Sequence, residues 1–567
     1  MYILKVLYSF IKKYKLTIAI YILFTILAFP LEAIVVPQIY SHFFAILNTN
    51  TKIEVFLKYF IMIIICLSIV YSSSCITTYI ESFMIPEMNE YLINYIFKNL
   101  LKKYENNFDD IELGKIITRL SVIPSVIRDI MTEVCIWGFP RALTIIIINI
   151  YFFYLNWKLG IVSVFLLIIF FYFNLLYFNK CSYISEQRYN LFEDINQNTQ
   201  DKLSNSFSIY STGNLHNEIT QYELFTKKYT SKFKENLYCL NKITFISSIL
   251  LIVVFISLNS ISTYLFLTKE LSYINLIAIF ITIIYYIPCI LTLIGSMPAI
   301  IHCHGILKSV DNFMGDLYNI HLKKNDKVND KVNDKVNQII KITKGNIVIN
   351  NLNFAYDKSE KLFNNFYLTV KDKEKIAIIG PSGNGKSSLI KIIMGYYNID
   401  NSIIFIDDKD INNYNLNDLR KQISYINQNS KLFNKSVLEN IQYGNNASKD
   451  EIIILCKKIN VDNIFKNLKD GLDTNSGIDG NNLSGGQRQL VHILRCICQK
   501  NKIVILDEPT SAIDKDNTTN IINAINELSK NSTLILITHD DAILSLVDRV
   551  IKLESGKIVS DTYKKNI

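Results

Sequence analysis

The chain has 567 residues, half of them hydrophobic, and a formal net charge of +9. Such a length suggests roughly two to four domains. A mean hydropathy of +0.22 is too apolar for a wholly soluble protein and too mild for one buried entirely in lipid, so one part belongs in the bilayer and one in water. The surplus lysines flank apolar segments and need no nucleic acid to explain them.

Lys5, Lys12, Lys13 and Lys15 precede the first apolar stretch, and no acidic residue comes before Glu32. Residues 1–15 therefore read as a basic amphipathic helix on the cytoplasmic face of a membrane, not as a cleavable signal peptide. Six apolar stretches follow, at 16–47, 53–84, 134–155, 159–178, 243–267 and 274–301. Each can supply the ~20 residues that cross a bilayer, and the longer ones should extend into water. Residues 16–315 are thus expected to form an all-α transmembrane domain of six spans. The connections at 48–52, 156–158 and 268–270 are short, whereas 86–133 and 179–242 are long, polar and rich in lysine. Positive charge places the two long connections in the cytoplasm together with both termini.

Glu32 and Arg141 fall inside apolar spans, where ionisable groups are costly. They either pair, line a path through the membrane, or act as structural pins. Pro30, Pro37, Pro288 and Pro298 are expected to kink or interrupt their helices. Phe280, Tyr285 and Tyr286 read as packing or lipid-facing residues ahead of cavity lining in so aromatic a chain. The ten cysteines are scattered, several within apolar segments, in no disulfide framework. Cys496 and Cys498 would not share a helix face, which makes a poor metal site. The cluster His302-Cys303-His304 reads as an ordinary end of the last span.

At 325–336 the tetrapeptide Asn-Asp-Lys-Val occurs three times in succession. Charged and poor in apolar residues, 316–338 reads as a solvated, partly helical linker. From 339 to 567 short β-rich runs alternate with helical ones, the pattern of an α/β nucleotide-binding domain.

Within that region Gly380-Pro381-Ser382-Gly383-Asn384-Gly385-Lys386-Ser387 reads G-x-x-x-x-G-K-S, the phosphate-binding loop. An apolar run, 375–379, precedes it and a helical run opening at Ser388 follows. The glycines let backbone N–H groups turn onto phosphate oxygens, and the helix N-terminus adds positive potential. Lys386 should reach the β- and γ-phosphates and Ser387 should ligate Mg²⁺.

Further motifs follow in a telling order. Tyr356 stands shortly before the loop. Gln428 follows Ile423-Ser424-Tyr425-Ile426-Asn427. Leu483-Ser484-Gly485-Gly486-Gln487 comes next, then Ile503-Val504-Ile505-Leu506-Asp507-Glu508, Ser511-Ala512-Ile513-Asp514, and His539 after Leu534-Ile535-Leu536-Ile537-Thr538. On these residues the chain resembles a half-transporter of the exporter type among the ATP-binding cassette (ABC) transporters, across nearly its whole length. The resemblance implies a type I exporter-like membrane domain fused to an ABC ATPase domain. Tyr356 would stack on adenine, Gln428 would touch Mg²⁺ and the attacking water, and Asp507 would hold the Mg²⁺ shell. Glu508 would be the general base, and His539 would orient it. Leu483, Ser484, Gly485, Gly486 and Gln487 form the signature that contacts ATP held by a partner's phosphate loop, and Ser511 and Asp514 belong to the D-loop that crosses the dimer interface.

One cassette per chain implies a second half-transporter, either a copy or a relative, with ATP and Mg²⁺ at two composite sites. The stretch Phe108–Leu120 resembles the first cytoplasmic coupling loop, and a second coupling helix is expected near 204–213. Two departures stand out. Asn427 replaces a common proline, and Gly477-Ile478-Asp479-Gly480 lacks the family's Glu-Arg pair, which puts the detail of coupling in question. An ATP-gated channel or membrane-bound sensor on the same scaffold is the alternative, disfavoured by the intact Glu508. A soluble ABC ATPase is disfavoured by the six spans. Substrate, partner identity and membrane stay open.

Overall fold

A computed structural model describes residues 2–47, 53–105, 112–330, 340–356, 361–428, 430–510 and 515–564. They form two compact units, residues 1–333 and 334–567.

The first unit is helical. Helix α1 (Tyr2–Lys13) puts Ile3, Val6 and Phe10 on one face, all under 3% exposed, among residues of the long helices. Its apolar stripe therefore packs on protein, and the Tyr2 amide donates to Asp311 Oδ1 at 2.8 Å. Helices α2 (Lys15–Pro30) and α3 (Val36–Leu47) are joined by a π-helical segment, Leu31–Val35. Helix α4 (Ile53–Lys103) runs unbroken through Pro86. Helix α5 (Leu113–Ile130) passes through a second π-helical segment, Met131–Gly138, into α6 (Phe139–Leu155). Asn156 caps α7 (Trp157–Ser204) by accepting from the Lys158 amide. A short α8 (Ser206–Ser211) occupies the region expected to hold the second coupling helix, before α9 (Leu215–Leu267) and α10 (Tyr273–Asp330).

Among the described residues six helical stretches are long and apolar enough to cross a membrane: Lys15–Ile46, Ile53–Lys103, Leu113–Leu155, Trp157–Ser204, Leu215–Leu267 and Tyr273–Ile320. They coincide with or contain the six expected spans to within one residue, and several continue for many turns beyond them. Large apolar side chains such as Ile65, Phe165, Ile168, Ile252 and Ile256 stay exposed along them, as a lipid-facing surface requires. Pro30 marks the entry into the first π-helical segment, while Pro288 and Pro298 lie within an unbroken α10. The stretch Phe108–Ile111 of the expected coupling loop, and residues 331–338 of the expected linker, lie outside the described residues; α10 carries the chain helically up to Asp330.

Several polar groups inside this unit are partnered across helices. Asn149 donates to the Tyr286 hydroxyl at 3.1 Å and accepts from Ser163 at 2.6 Å, so Tyr286, fully buried, is a packing residue. Arg119 forks onto Glu193 at 2.7 and 2.8 Å, joining α5 to α7. Cys181 and Cys239 join α7 to α9 through a disulfide, a pairing across 58 residues that the scattered spacing gave no sign of. Among the described residues no group of three potential ligands could hold a metal, and His304 Nδ1 shares a hydrogen bond with Ser182 Oγ.

The second unit is built on two sheets. One is antiparallel, in the order β2 (Lys361–Val370), β1 (Ile347–Ala355), β4 (Ile404–Ile406), β5 (Lys409–Asp410). The other runs β10 (Lys557–Tyr563), β9 (Arg549–Glu554), β3 (Lys375–Ile379), β8 (Thr533–Ile537), β7 (Ile503–Asp507), β6 (Ile423–Ile426). Its strands are parallel except for β10. Alternate residues of the central strands enter different cores. Ile376, Ile505 and Ile535 join one with α11 (Lys386–Ile393); Val504, Leu506 and Leu534 join the other. Both faces of such a sheet are covered, which is why β7 and β8 are continuous apolar runs. Helices α12 (Leu416–Lys421), α13 (Val437–Ile441), α14 (Lys449–Lys458) and α15 (Asp462–Lys466) follow. Helices α16 (Gly485–Gln499), α17 (Lys515–Ser529) and α18 (Asp541–Leu544) complete the unit.

Candidate nucleotide site

Strand order decides what meets at the sheet's edge. Because β8 lies between β3 and β7, with β6 beyond β7, the segments leaving these parallel strands emerge side by side. They carry the phosphate loop, His539, the pair Asp507 and Glu508, and Gln428. The carboxyl ends of parallel strands are where ligands bind in such folds.

The loop after β3 needs its glycines. Gly380, Gly383 and Gly385 have φ of +144°, +83° and +93°, in the region that favours glycine. A Cβ on Gly380 would run into the Leu553 carbonyl, whereas one on Gly383 would meet nothing within 4 Å. The loop is thus anchored at one end and open in its middle, the form of a cradle. Pro381, Ser382 and Gly383 are exposed, Asn384 half-buried, and Gly385 caps α11 without a side-chain cap. The first-turn N–H groups of α11 therefore have no side-chain acceptor at the cap position.

Lys386 is 7% exposed and its Nζ donates to the Gly380 and Pro381 carbonyls at 2.5 and 2.9 Å. Burial pulls its pKa below the ordinary lysine value, opposed by the nearby carboxylates of Glu508 and Asp507. Ser387 Oγ donates to Asp507 Oδ2 at 3.1 Å. Burial pushes the Asp507 carboxyl above the usual range and Glu508 adds to it, while Ser387 and Lys386 work the other way. Gln428 Nε2 donates to Glu508 Oε2 at 2.5 Å. Two adjacent carboxylates, a hydroxyl and an amide oxygen are the hard oxygen donors a divalent cation takes, and such a cation would relieve the charge that burial penalises at Asp507.

Glu508 sits at φ +50°, a costly position of about 1–3 kcal/mol for a residue with a side chain. Its amide donates to the Ile537 carbonyl at 2.8 Å, holding it against β8. His539 follows β8 and is exposed. Tyr356 is 41% exposed; its hydroxyl shares a 2.6 Å hydrogen bond with Ser388, and its ring meets Phe354 and Tyr397 edge-on. Ser511 and Asp514 lie outside the described residues.

The signature stands at a helix start. Ser484 caps α16 in a capping box with Gln487: its amide donates to Gln487 Oε1 at 2.9 Å and its hydroxyl accepts from the Gln487 amide at 3.2 Å. Leu483 is buried in the core and Gly486 is buried, while Ser484 is exposed and Gly485 half-buried.

Two contacts had no counterpart in the motif reading. Thr510 Oγ1 donates to Asp540 Oδ2 at 3.0 Å, tying the segment after β7 to the segment after β8 beside His539. Lys431 pairs with Asp479 at 2.8 Å, so the Gly477–Gly480 segment that lacks a Glu-Arg pair carries a different ion pair, to the segment after Gln428. No spacing signal announces either; a threonine after Glu-Pro and an aspartate after the histidine are the only traces.

Residues 15–288 match the family described as the ABC transporter transmembrane region, and residues 363–511 match the one described as ABC transporter. The chain belongs to the ABC transporters. Family membership makes ATP the nucleotide of the phosphate loop, and the six apolar helices make the chain an integral, multi-pass membrane protein. An ABC transporter B family member 2 from Dictyostelium discoideum is 37% identical over 219 residues, 38% of this chain and 16% of that protein. An ATP-dependent lipid A-core flippase from Methylobacillus flagellatus is 37% identical over 221 residues, 38% of each. The chain thus matches well under half the length of these curated relatives. Over nearly its full length it shares the fold of a bacterial Atm1-family ABC exporter solved with ATP bound: TM-score 0.80, 18% identity, 98% of this chain and 96% of that one.

Proposed function

We propose that the chain is one half of an ATP-driven exporter or lipid flippase that works as a dimer, hydrolysing ATP at two composite sites. The observation that carries this reading is the meeting of Lys386, Ser387, Asp507, Gln428 and Glu508 at one edge of the sheet. Phosphoryl transfer asks mainly for positioning and charge neutralisation, and these side chains supply both. The loop amides and Lys386 bind the phosphates, and Tyr356 offers a ring to adenine. Mg²⁺, when bound through Ser387 and Asp507 with Gln428 beside it, would neutralise phosphate charge. Glu508, steadied by Gln428, takes a proton from the attacking water, and His539 orients that pair.

Each chain holds one phosphate loop and one signature. Ser484 and Gly486 would face the nucleotide of a second half-transporter, a copy or a relative, with Ser511 and Asp514 crossing between them. ATP then favours the closed pair of cassettes, and hydrolysis removes that preference. The segments around α5 and α8 would carry the motion to the spans, with both termini in the cytoplasm.

The test is ATP-dependent accumulation of a labelled amphiphile in inside-out vesicles containing the full chain. Accumulation should vanish in Glu508→Gln while ATP binding persists. Recovery of the protein in the soluble fraction, or undiminished accumulation in that variant, would overturn the proposal.

A further inference from the structure

The membrane unit keeps two opposite charges from pairing. Arg141, one turn into α6, lies over the rings of Phe29 at 5.3 Å and Trp137 at 4.8 Å, and one of its N–H groups reaches the Ile136 carbonyl at 3.4 Å. Its field reaches Glu32 and Glu81, yet it forms an ion pair with neither. Glu81 is engaged by the Tyr21 hydroxyl at 3.1 Å. Glu32 makes no hydrogen bond or ion pair to any described residue. Along the helix it stands about 16 Å from Tyr21 at ~1.5 Å per residue, and Phe29, the ring beside the guanidinium, falls between them.

In lipid, opposite charges gain most by closing on each other, so holding them apart costs free energy unless something sits between them. Two rings lie beside the guanidinium and one of its N–H groups reaches the Ile136 carbonyl, while it forks onto no carboxylate of the described residues, the bidentate contact an anion would take. Both charges also lie at π-helical segments, Glu32 within Leu31–Val35 and Arg141 just after Met131–Gly138. Such segments are frequent at functional sites.

A second, independent feature begins at Ala142, the next residue after Arg141. A groove of about 370 Å³ runs between α6 and α7, lined by Ala142, Ile145 and Phe153 of α6 and Val164 and Phe171 of α7, with Leu293 of α10. Leu293 also lies over Gly138, at the end of the second π-helical segment. The groove is apolar, and Ile146 and Ile150 on its wall are 60% and 63% exposed, facing where lipid would be.

We propose that this is a cargo site for a zwitterionic amphiphile, with its anion on Arg141, its ammonium on Glu32 and its hydrocarbon chain in the α6 groove. The inference rests on the exporter reading and names the class of substrate for it. A head carrying both signs satisfies the separated charges; a purely anionic head leaves Glu32 alone and a purely cationic one leaves Arg141 alone.

The chain has two tryptophans, so Trp157→Phe leaves Trp137, at the proposed site, as the sole indole reporter. The full chain with this change, in phosphatidylglycerol vesicles that contain no zwitterionic lipid, would be titrated with three amphiphiles of equal chain length: lysophosphatidylethanolamine, lysophosphatidylglycerol and an alkylamine. Trp137 fluorescence should report affinity for the zwitterion at least about tenfold above the other two. Arg141→Gln should shift the preference to the alkylamine, and Glu32→Gln to the anionic lipid. Equal affinities in the parent chain, or equal losses for all three ligands in both variants, would overturn the site. Vesicle accumulation of the zwitterion, run alongside with Glu508→Gln as control, separates the two readings: headgroup preference without ATP-dependent accumulation refutes export but leaves the site, and accumulation without headgroup preference does the reverse.

Discussion

The contact between Gln428 and Glu508 can be tested as a coupling. Replacing Gln428 with Ala removes the 2.5 Å hydrogen bond from its amide to the Glu508 carboxylate and touches nothing in the phosphate loop. Hydrogen bonds to charged groups contribute about 1.5–3 kcal/mol. Gln428 is exposed, so the lower end applies, and hydrolysis should fall about tenfold. Glu508→Gln alone should cost about 10²–10⁴-fold, the usual contribution of a general base. With the carboxylate gone, the Gln428 amide has no charge to hold, so adding Gln428→Ala to Glu508→Gln should cost less than about threefold more. The assay is single-turnover phosphate release by the full chain in lipid vesicles at saturating MgATP, with nucleotide affinity measured separately. Affinity should stay within about threefold throughout, because Lys386 and the loop are unchanged. Two independent, multiplying losses would refute the idea that Gln428 acts through Glu508.

Two further outcomes follow from the same unit. Gly380→Ala should abolish ATP binding or folding, since its Cβ would strike the Leu553 carbonyl, whereas Gly383→Ala, with open space around it, should fold and lose affinity only in part; thermal unfolding and nucleotide titration of both variants decide it. Asp407 accepts the amides of Thr343, Lys344, Gly345 and Asn346 at 2.6, 2.9, 2.7 and 3.1 Å. Burial works to raise its pKa, and these four donors outweigh it and hold the carboxyl below its ordinary value. Its contribution is therefore complete above the unfolded value of about 3.9 and lost as pH falls through the lower folded value. Asp407→Asn should lower the melting temperature near neutral pH and make no difference in strong acid; a gap that persists unchanged in acid would remove the assignment.

How far the sequence could be read depended on whether information was local. The phosphate loop and the signature are contiguous, and each is followed at once by its helix, so both were visible in the chain. Hydropathy likewise marks the spans, because lipid demands long uninterrupted apolar runs. That the longer stretches extend into water was legible, but where α4, α7 and α9 end was not, because beyond the bilayer their polar residues look like any loop. Strand order was invisible: that β8 separates β3 from β7 follows from packing of segments far apart in the chain. The same holds for Thr510 with Asp540, and for Cys181 with Cys239. Glu32 and Arg141 could be flagged from hydropathy, but that Arg141 packs against Phe29 and Trp137 is set by tertiary structure and leaves no mark in the sequence. The π-helical segments leave no trace in an apolar run that lacks a polar face to betray a change of period.

Those two segments also set how the first and third spans are phased. A π turn closes its hydrogen bond over five residues where an α turn uses four, so it absorbs an extra residue without breaking the helix. One residue corresponds to about 100° of rotation. Removing a residue within Leu31–Val35 or Met131–Gly138 would restore plain α geometry and swing everything on one side of the cut by that angle. Glu32 and Arg141 would then face new neighbours while the spans kept almost the same length and hydropathy. A chain of this kind can change what its membrane interior presents by single-residue insertions and deletions, a route that leaves the cassette and its ATP chemistry untouched.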